Sequence, residues 1–493
     1  MRRAWTRELL GWGAALGVSL VVVAQVAASP RSELLFRDAD SLIVALFTHS
    51  VLSGDRLDWA MSSVLFLPET AVFAGLSLVG AGDLNTVLAV NAIVNLLAVY
   101  GALRLAAGRR RPGASPVAWS VIALTAFGAV AITETSASRD ALELASLQLT
   151  TTYYSSTVVA VLVVVGLLRR GLDRSGWWPL AAVAPVTIIA TLSNPLFAAW
   201  ATAPLTVLLA VGAVRSRHRR RMLISLAVLV GGTLAGFVAR IPFAAWIANT
   251  GAGYVQPQQW SASIGYYGGL LAERLSTPLG IVGALTVVAL LVLAVRRTVR
   301  ASTDGERLVA AAGWMLPVIV AVGAIVLGTH AARYLQPVVF APLLALVSSP
   351  RAVRTPRLVA VVAAALVVIA AAVGIPRLDA SAHRPDADLA CVTDWVTASG
   401  RTGAGQFWTV RLPKAHLADP ARLVQVDHRL NGYAWLVNRT DFDAGAVSFL
   451  VEDSQTVQWE LPESAIPEQV VQCGRYSILD FGETSLPLGT PHS

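Results

Sequence analysis

Residues 84–106 read LNTVLAVNAIVNLLAVYGALRLA, a stretch whose one charge is Arg104, and Arg109-Arg110-Arg111 follow almost at once. About 20 apolar residues suffice to cross the hydrocarbon of a bilayer as a helix. Arginines clustered at the end of such a run mark the cytoplasmic side. The stretch therefore predicts a membrane span whose carboxyl end reaches the cytoplasm. The whole chain agrees: of its 493 residues 55% are hydrophobic and 14% charged, where soluble chains carry roughly 25% charged residues.

Working outward, further spans are expected at 9–28, 116–134, 155–172, 177–194, 196–214, 222–240, 277–295, 308–328, 335–349 and 358–375, about eleven in all. The first follows Arg2, Arg3 and Arg7, so the amino terminus is cytoplasmic. An odd count places the carboxyl end outside. The arginine clusters 104/109/110/111, 169/170/174, 215/217/219/220/221, 296/297/300/307 and 351/354/357 all fall on the cytoplasmic side of this arrangement. Ser62 to Gly82 is apolar enough to be a span, but counting it would move Arg109-Arg110-Arg111 outside. It reads instead as a helix in the outer interface, broken by Pro68-Glu69.

The expected fold is thus a polytopic α-helical membrane domain over 1–375, with a large first outer loop at 29–83, followed by an extracytoplasmic domain over 376–493. Further outer loops fall at 135–154, 241–276 and 329–334. Alternating runs such as Gln406-Phe-Trp-Thr-Val-Arg-Leu, Leu423-Val-Gln-Val-Asp, Val447-Ser-Phe-Leu-Val and Tyr476-Ser-Ile-Leu-Asp-Phe predict a mostly-β (α+β) terminal domain. Its first helix contains Asp394-Trp395. Cys391 and Cys473 both lie in this region, and an oxidising outer compartment favours a disulfide between them over two buried thiols.

A net charge of +8 does not point to nucleic acid, because the arginines sit in short clusters between apolar runs rather than on one soluble surface. Of the basic residues only Lys414 is lysine, and it follows Pro413, so no phosphate-cradling Gly-x-x-x-x-Gly-Lys loop exists. His-Glu-x-x-His, Cys-x-x-Cys and Gly-x-Ser-x-Gly are absent too, which removes support for zinc-protease, redox and hydrolase-elbow chemistry. Charges deep within spans are scarce and no inverted repeat relates the two halves, which weakens a transporter reading.

What remains is outer-side chemistry. The first outer loop concentrates Glu33, Asp38, Asp40, Asp55, Asp58 and Glu69. Leu42, Ile43, Leu46, Phe47 and Val51 then repeat at helical spacing, so a helix is expected to start near Asp40. A carboxylate there is either a helix N-cap or a general base held near the lipid head groups. In the loop His330-Ala-Ala-Arg333-Tyr334-Leu-Gln-Pro337, Arg333 lies outside against the charge bias, where a guanidinium suits a lipid phosphate. Tyr334 is equally suited to anchoring a helix in the interface. Glu134, Asp140 and Glu143 belong to the second loop, where solvated charge is the simpler reading. Gln256, Trp260 and Tyr267 give the third loop the amide and aromatic content that suits sugars, although interfacial aromatics are as often anchors.

Asp38-Ala-Asp40-Ser41 before an amphipathic helix, Leu67-Pro68-Glu69, and Arg333-Tyr334-x-x-Pro337 together resemble the GT-C superfamily of membrane glycosyltransferases, in particular the protein O-mannosyltransferase and aminoarabinose transferase group. The resemblance covers architecture over about 1–375. It implies transfer of a sugar from a polyprenyl-phosphate donor to a cell-envelope glycan, lipid or protein, with inversion. It implies Asp40 as base, with Asp38 second, and donor-phosphate contact by Arg333, Tyr334 and Arg139. Glu69, His330, Gln256, Trp260 and Tyr267 are then expected around the substrate. Many relatives have Asp-Glu where this chain has Asp40-Ser41, which leaves open both the catalytic acid and a divalent metal. Two other classes compete: a flippase for a lipid-linked saccharide, and a noncatalytic envelope-assembly protein.

Overall fold

In the computed structural model of the chain, residues 2–80, 82–173, 176–216, 218–353 and 357–493 are described, so Arg174, Arg217 and Arg354 of the arginine clusters lie outside the described residues. Helices form wherever the sequence has long apolar runs. Among the described residues, eight helices are long and apolar enough to cross a membrane: Trp5–Ala27, Leu84–Ala106, Ser155–Leu172, Ala198–Arg215, Arg219–Val238, Pro278–Val299, Asp304–Val326 and Val361–Ala382. Shorter apolar helices occupy Pro116–Ile132, Trp178–Ser193 and Ala332–Ser348, where the remaining spans are expected. Two more, Ile43–Ser53 and Leu67–Val79, fall in the first loop.

The chain divides into two compact units, one built from 1–35, 89–241 and 252–382, the other from 36–88, 242–251 and 383–493. The sequence reading grouped 29–83 with the helical part. Most of that loop instead clusters with the terminal region, because backbone pairing joins them. Trp59–Ala60 pairs antiparallel with Val437–Asn438, and Met61 bridges Ile247. The Asp58 carboxylate accepts from Arg439 Nη1 at 3.0 Å beside this seam.

The first unit is a helical assembly. Trp178–Ser193 lies along Arg219–Val238, and Arg2–Ala27 packs on Pro116–Ile132 and Arg357–Ala382. Gly232 and Gly236, one turn apart, let backbones approach: a methyl group at Gly236 would come within 2.8 Å of the Ile188 carbonyl oxygen. Such small residues at i and i+4 suit helix packing in lipid, where close van der Waals contact takes the place of the hydrophobic effect. On Val361–Ala382 the side chains of Val361, Leu366, Val368 and Ile369 are each more than half exposed. A row of aliphatic groups like this suits hydrocarbon rather than water.

The second unit carries a five-stranded mixed sheet in the order Leu423–Gln425, Gly403–Gly405, Phe449–Glu452, Tyr476–Asp480, Gln469–Cys473. The first three strands are parallel and the last two add antiparallel. Val392, Val396, Val410, Phe449, Val451 and Ile478 form a core beneath it. Cys391 and Cys473 are disulfide-bonded with Cα atoms 5.5 Å apart, which ties the helix Ala387–Ser399 to the edge strand. One expectation needs correction: Gln406 to Leu412 is not a strand, because Phe407–His416 is a helix. Seven of its ten residues are buried. A helix covered nearly all round has no polar face to display a 3.6-residue period.

Candidate functional site

The acids of the first loop do different things. Asp38 closes a turn: its Oδ2 accepts from the Ser41 N–H at 3.1 Å and from the Ser41 hydroxyl at 3.2 Å. The following helix starts at Ile43 rather than at Asp40, its N-cap position is Leu42, and no side chain caps it. Asp40 is therefore not an N-cap. It lies half-buried in the turn before the helix, and Ile43 to Thr48 of that helix are buried, which fixes the turn on a packed support. Asp58 belongs to the seam with Arg439. Glu69 is buried in the first turn of Leu67–Val79, where a carboxylate meets the positive end of the helix.

Asp38 and Asp40 share the second unit with Arg411, a side chain sequence reasoning passed over because it stands inside an alternating run. The Arg411 guanidinium is fully buried. Burial pulls its pKa down to about 10, against the opposing pull of Asp40, Asp441 and Asp38. It remains a cation at neutral pH.

Arg333 and Tyr334 belong to the first unit, on the short helix Ala332–Leu335. Arg333 Nε–H donates to the Tyr154 hydroxyl at 3.3 Å, and Nη1 stands 3.5 Å from Asp140 Oδ1. Its guanidinium lies 5.8 Å from the Tyr334 ring centre. Tyr154 stacks on Tyr334 at 6.5 Å and meets Trp200 edge-on at 5.7 Å. Trp200 Nε1–H donates to the Tyr334 carbonyl at 3.0 Å, and Gln336 Nε2–H donates to the Tyr153 carbonyl at 2.8 Å. Tyr154 has φ 66°, a left-handed backbone that a bulky residue adopts only under strong local constraint. Tyr153, Tyr154 and Trp200 were missed in the sequence, where aromatics on separate elements carry no shared spacing.

The other expected residues are more dispersed. Arg139 lies 3.9 Å from its neighbour Asp140. His330 packs its ring on Tyr266 at 5.4 Å. Tyr267 is buried, and its hydroxyl bonds the Thr329 hydroxyl at 2.7 Å, so it pins the 329–331 loop. The Gln256 N–H donates to the Leu327 carbonyl at 2.8 Å, and Trp260 is exposed at the start of Trp260–Leu275. Glu134 and Glu143 are structural. Glu134 accepts from the Ala145 and Ser146 N–H groups at 2.8 and 2.7 Å, and Glu143 accepts from Arg274 Nη1 at 2.7 Å. Arg31 donates to Ser146 Oγ at 2.8 Å within the same buried network. These bonds hold the loop that presents Arg139, Asp140 and Tyr154.

No protein-family model matches the chain, and no curated protein matches it. Among the described residues, no three His, Cys, Asp or Glu side chains gather where they could hold a metal ion. A cavity of about 410 Å³ is lined by Arg111, Asp173, Arg215, His218, Thr303 and Asp304. It belongs to the arginine-rich loops and includes none of the candidate residues.

Proposed function

We propose that this chain is an integral-membrane glycosyltransferase that moves a sugar from a polyprenyl-phosphate donor to a cell-envelope glycan, lipid or protein on the outer side, with inversion at C1. The observation that carries this reading is the setting of Arg333. Its contacts to Tyr154 at 3.3 Å and Asp140 at 3.5 Å are long for a guanidinium, and a fifth of the side chain is exposed. The fork therefore keeps bonding capacity toward a phosphate, while the surrounding aromatic rings suit a lipid-linked ligand. Asp40 is the base assigned to the reaction and belongs to the second unit. It would take the acceptor hydroxyl proton as that oxygen bonds C1. The C1–O bond to phosphate breaks, its electron pair stays on the phosphate oxygen, and polyprenyl phosphate leaves. Arg333 would meet the charge that grows there.

The membrane topology of the proposal has eleven crossings. Trp59–Ala60 pairs with Val437–Asn438 and Met61 bridges Ile247, so the first loop, 242–251 and 383–493 share one side. After residue 251 the long apolar helices before the terminal region number three: Pro278–Val299, Asp304–Val326 and Val361–Ala382. Three crossings would separate strands that are paired, and counting Ala332–Ser348 as a fourth reunites them. Between residues 88 and 242, counting Pro116–Ile132 and Trp178–Ser193 keeps the number even. It also keeps Arg109-Arg110-Arg111 and Arg169-Arg170 on one side.

The test is release of polyprenyl phosphate from a panel of lipid-linked sugars by the purified chain, with membrane glycan extract as acceptor. Turnover by wild type, reduced about 10²–10⁴-fold in Asp40→Asn, is the expected result. Equal turnover by both would move the base elsewhere. Passage of labelled lipid across liposomes without any sugar transfer would replace the enzyme with a flippase.

A further inference from the structure

We propose that a cavity beside the second outer loop is an acceptor subsite that takes one neutral sugar residue, with Glu273 as the carboxylate that binds its hydroxyls. This rests on the glycosyltransferase reading, and among the acceptor classes named there it selects the glycan.

The cavity holds about 180 Å³ and is lined by the second loop and by the carboxyl end of Trp260–Leu275. Pockets for drug-sized molecules run to about 300–1,000 Å³, so this one suits a single ring rather than a chain. All of its lining belongs to the first unit. Its fixed part is the pair of Glu143 and Arg274, both more than nine-tenths buried. Arg274 Nη1–H donates to Glu143 Oε1 at 2.7 Å and to the Thr133 carbonyl at 2.9 Å. Glu143 Oε2 accepts from the Ser136 N–H at 2.7 Å. Thr135, Glu273 and Ser276 also line the cavity and are exposed to solvent.

The lining matches a ligand rich in hydroxyls. A hydroxyl both donates and accepts, and a carboxylate accepts only, so Thr135, Ser136 and Ser276 together with Glu273 can meet the O–H groups of a sugar ring in either sense. Hydrogen bonds to an ionised group are the stronger ones, which gives Glu273 the largest share. It stands outside the buried ion pairs that engage Glu134 and Glu143. Charge argues against the head group of an anionic lipid: two carboxylates, Glu143 and Glu273, line the cavity with one guanidinium, Arg274, and the negative excess repels a phosphate. Position supplies the link to the reaction. Asp140 Oδ1 is 3.5 Å from Arg333 Nη1, and the next residue, Ala141, already lines the cavity. With consecutive Cα atoms about 3.8 Å apart, the cavity and the guanidinium assigned to the donor phosphate are separated by on the order of 10 Å. Donor and acceptor are thus brought to the two sides of one loop segment, as transfer between bound partners requires.

The experiment uses the full chain in phosphatidylcholine nanodiscs, since sugar-headed detergents would compete for the cavity. Methyl glycosides of glucose, galactose, mannose and arabinose are titrated by saturation-transfer NMR into wild type, Glu273→Gln and Glu273→Leu, with glycerol 1-phosphate and a threonine-rich peptide as comparators. At least one glycoside is expected to bind wild type, and to bind both variants about tenfold more weakly, as the loss of a hydrogen bond to a charged group implies. Equal binding by wild type and variants would overturn the proposal. So would binding of glycerol 1-phosphate or the peptide in place of every glycoside, or no glycoside binding at all. Glu273 is exposed, so its variants should fold; if they do not, Thr135→Val decides in the same titration. With glycan extract as acceptor, Glu273→Gln should raise the acceptor KM about tenfold and leave the donor KM unmoved, whereas a raised donor KM with an unmoved acceptor KM would end the assignment. Absence of turnover by wild type with every donor would instead end the glycosyltransferase reading, while the glycoside titration still decides whether the cavity binds sugar.

Discussion

At the scale of single residues, geometry separates groups that look alike in the sequence. Arg333 and Arg274 are both arginines of the first unit, yet Arg274 is tied to Glu143 at 2.7 Å and to the Thr133 hydroxyl at 2.6 Å, while the bonds of Arg333 are long. Arg333→Lys keeps the charge but loses the planar fork. It is expected to raise the KM for the lipid donor about tenfold with a smaller change in kcat, and initial rates against donor concentration check this. Asp386 gives a pH prediction. Burial opposes its ionisation, but bonds from Arg475 and the Leu389 N–H, with the charges of Arg475 and Arg37, hold it below the ordinary carboxylate value. A depressed folded pKa adds stability that is complete above the unfolded value of about 3.9 and is lost as pH falls through the folded one. The melting temperature should therefore drop less between pH 5 and pH 3 in Asp386→Asn than in wild type.

At the scale of elements, legibility follows the solvent. Long apolar runs such as 84–106 and 155–172 were readable because hydrocarbon admits nothing else, and their helices match to the residue. Phe407–His416 was misread because it is buried nearly all round. The edge strand Gln469–Cys473 was passed over because its residues are mostly exposed, with only Cys473 buried. Of the candidate residues, Asp38 and Asp40 stood out within a concentration of acids, and Arg333 as a charge against the local bias. Tyr154 and Trp200 did not, since their partner Tyr334 lies far away in sequence. Helix contact yields a prediction of its own: Gly236→Val places a branched side chain against Ile188 and Thr191. Overpacking of this kind is unfavourable by about 1–3 kcal/mol, so thermal unfolding in detergent should register a lower midpoint, and Gly231→Val, where a Cβ meets nothing within 4 Å, should not.

At the scale of the whole molecule, strand pairing and arginine placement make one joint demand on topology. Single cysteines introduced into a background with Cys391 and Cys473 replaced by serine should report it. Labels at Asp55 and Glu463 are expected to react with an impermeant maleimide from the outside, and labels at Arg110 and Arg300 only after the membrane is opened. A label at Arg170 reacting from the outside would remove Pro116–Ile132 and Trp178–Ser193 from the crossings. The seam itself has a temporal side. Asp58 and Asn438 are hydrogen-bonded across a separation of 380 residues. At a synthesis rate of about 5–20 residues per second, the first loop must wait on the order of 20–80 s for its strand partner. A ribosome that stalls in that interval leaves a chain whose strand Trp59–Ala60 still has an open edge, so the nascent first loop stays without its seam until translation has passed residue 438.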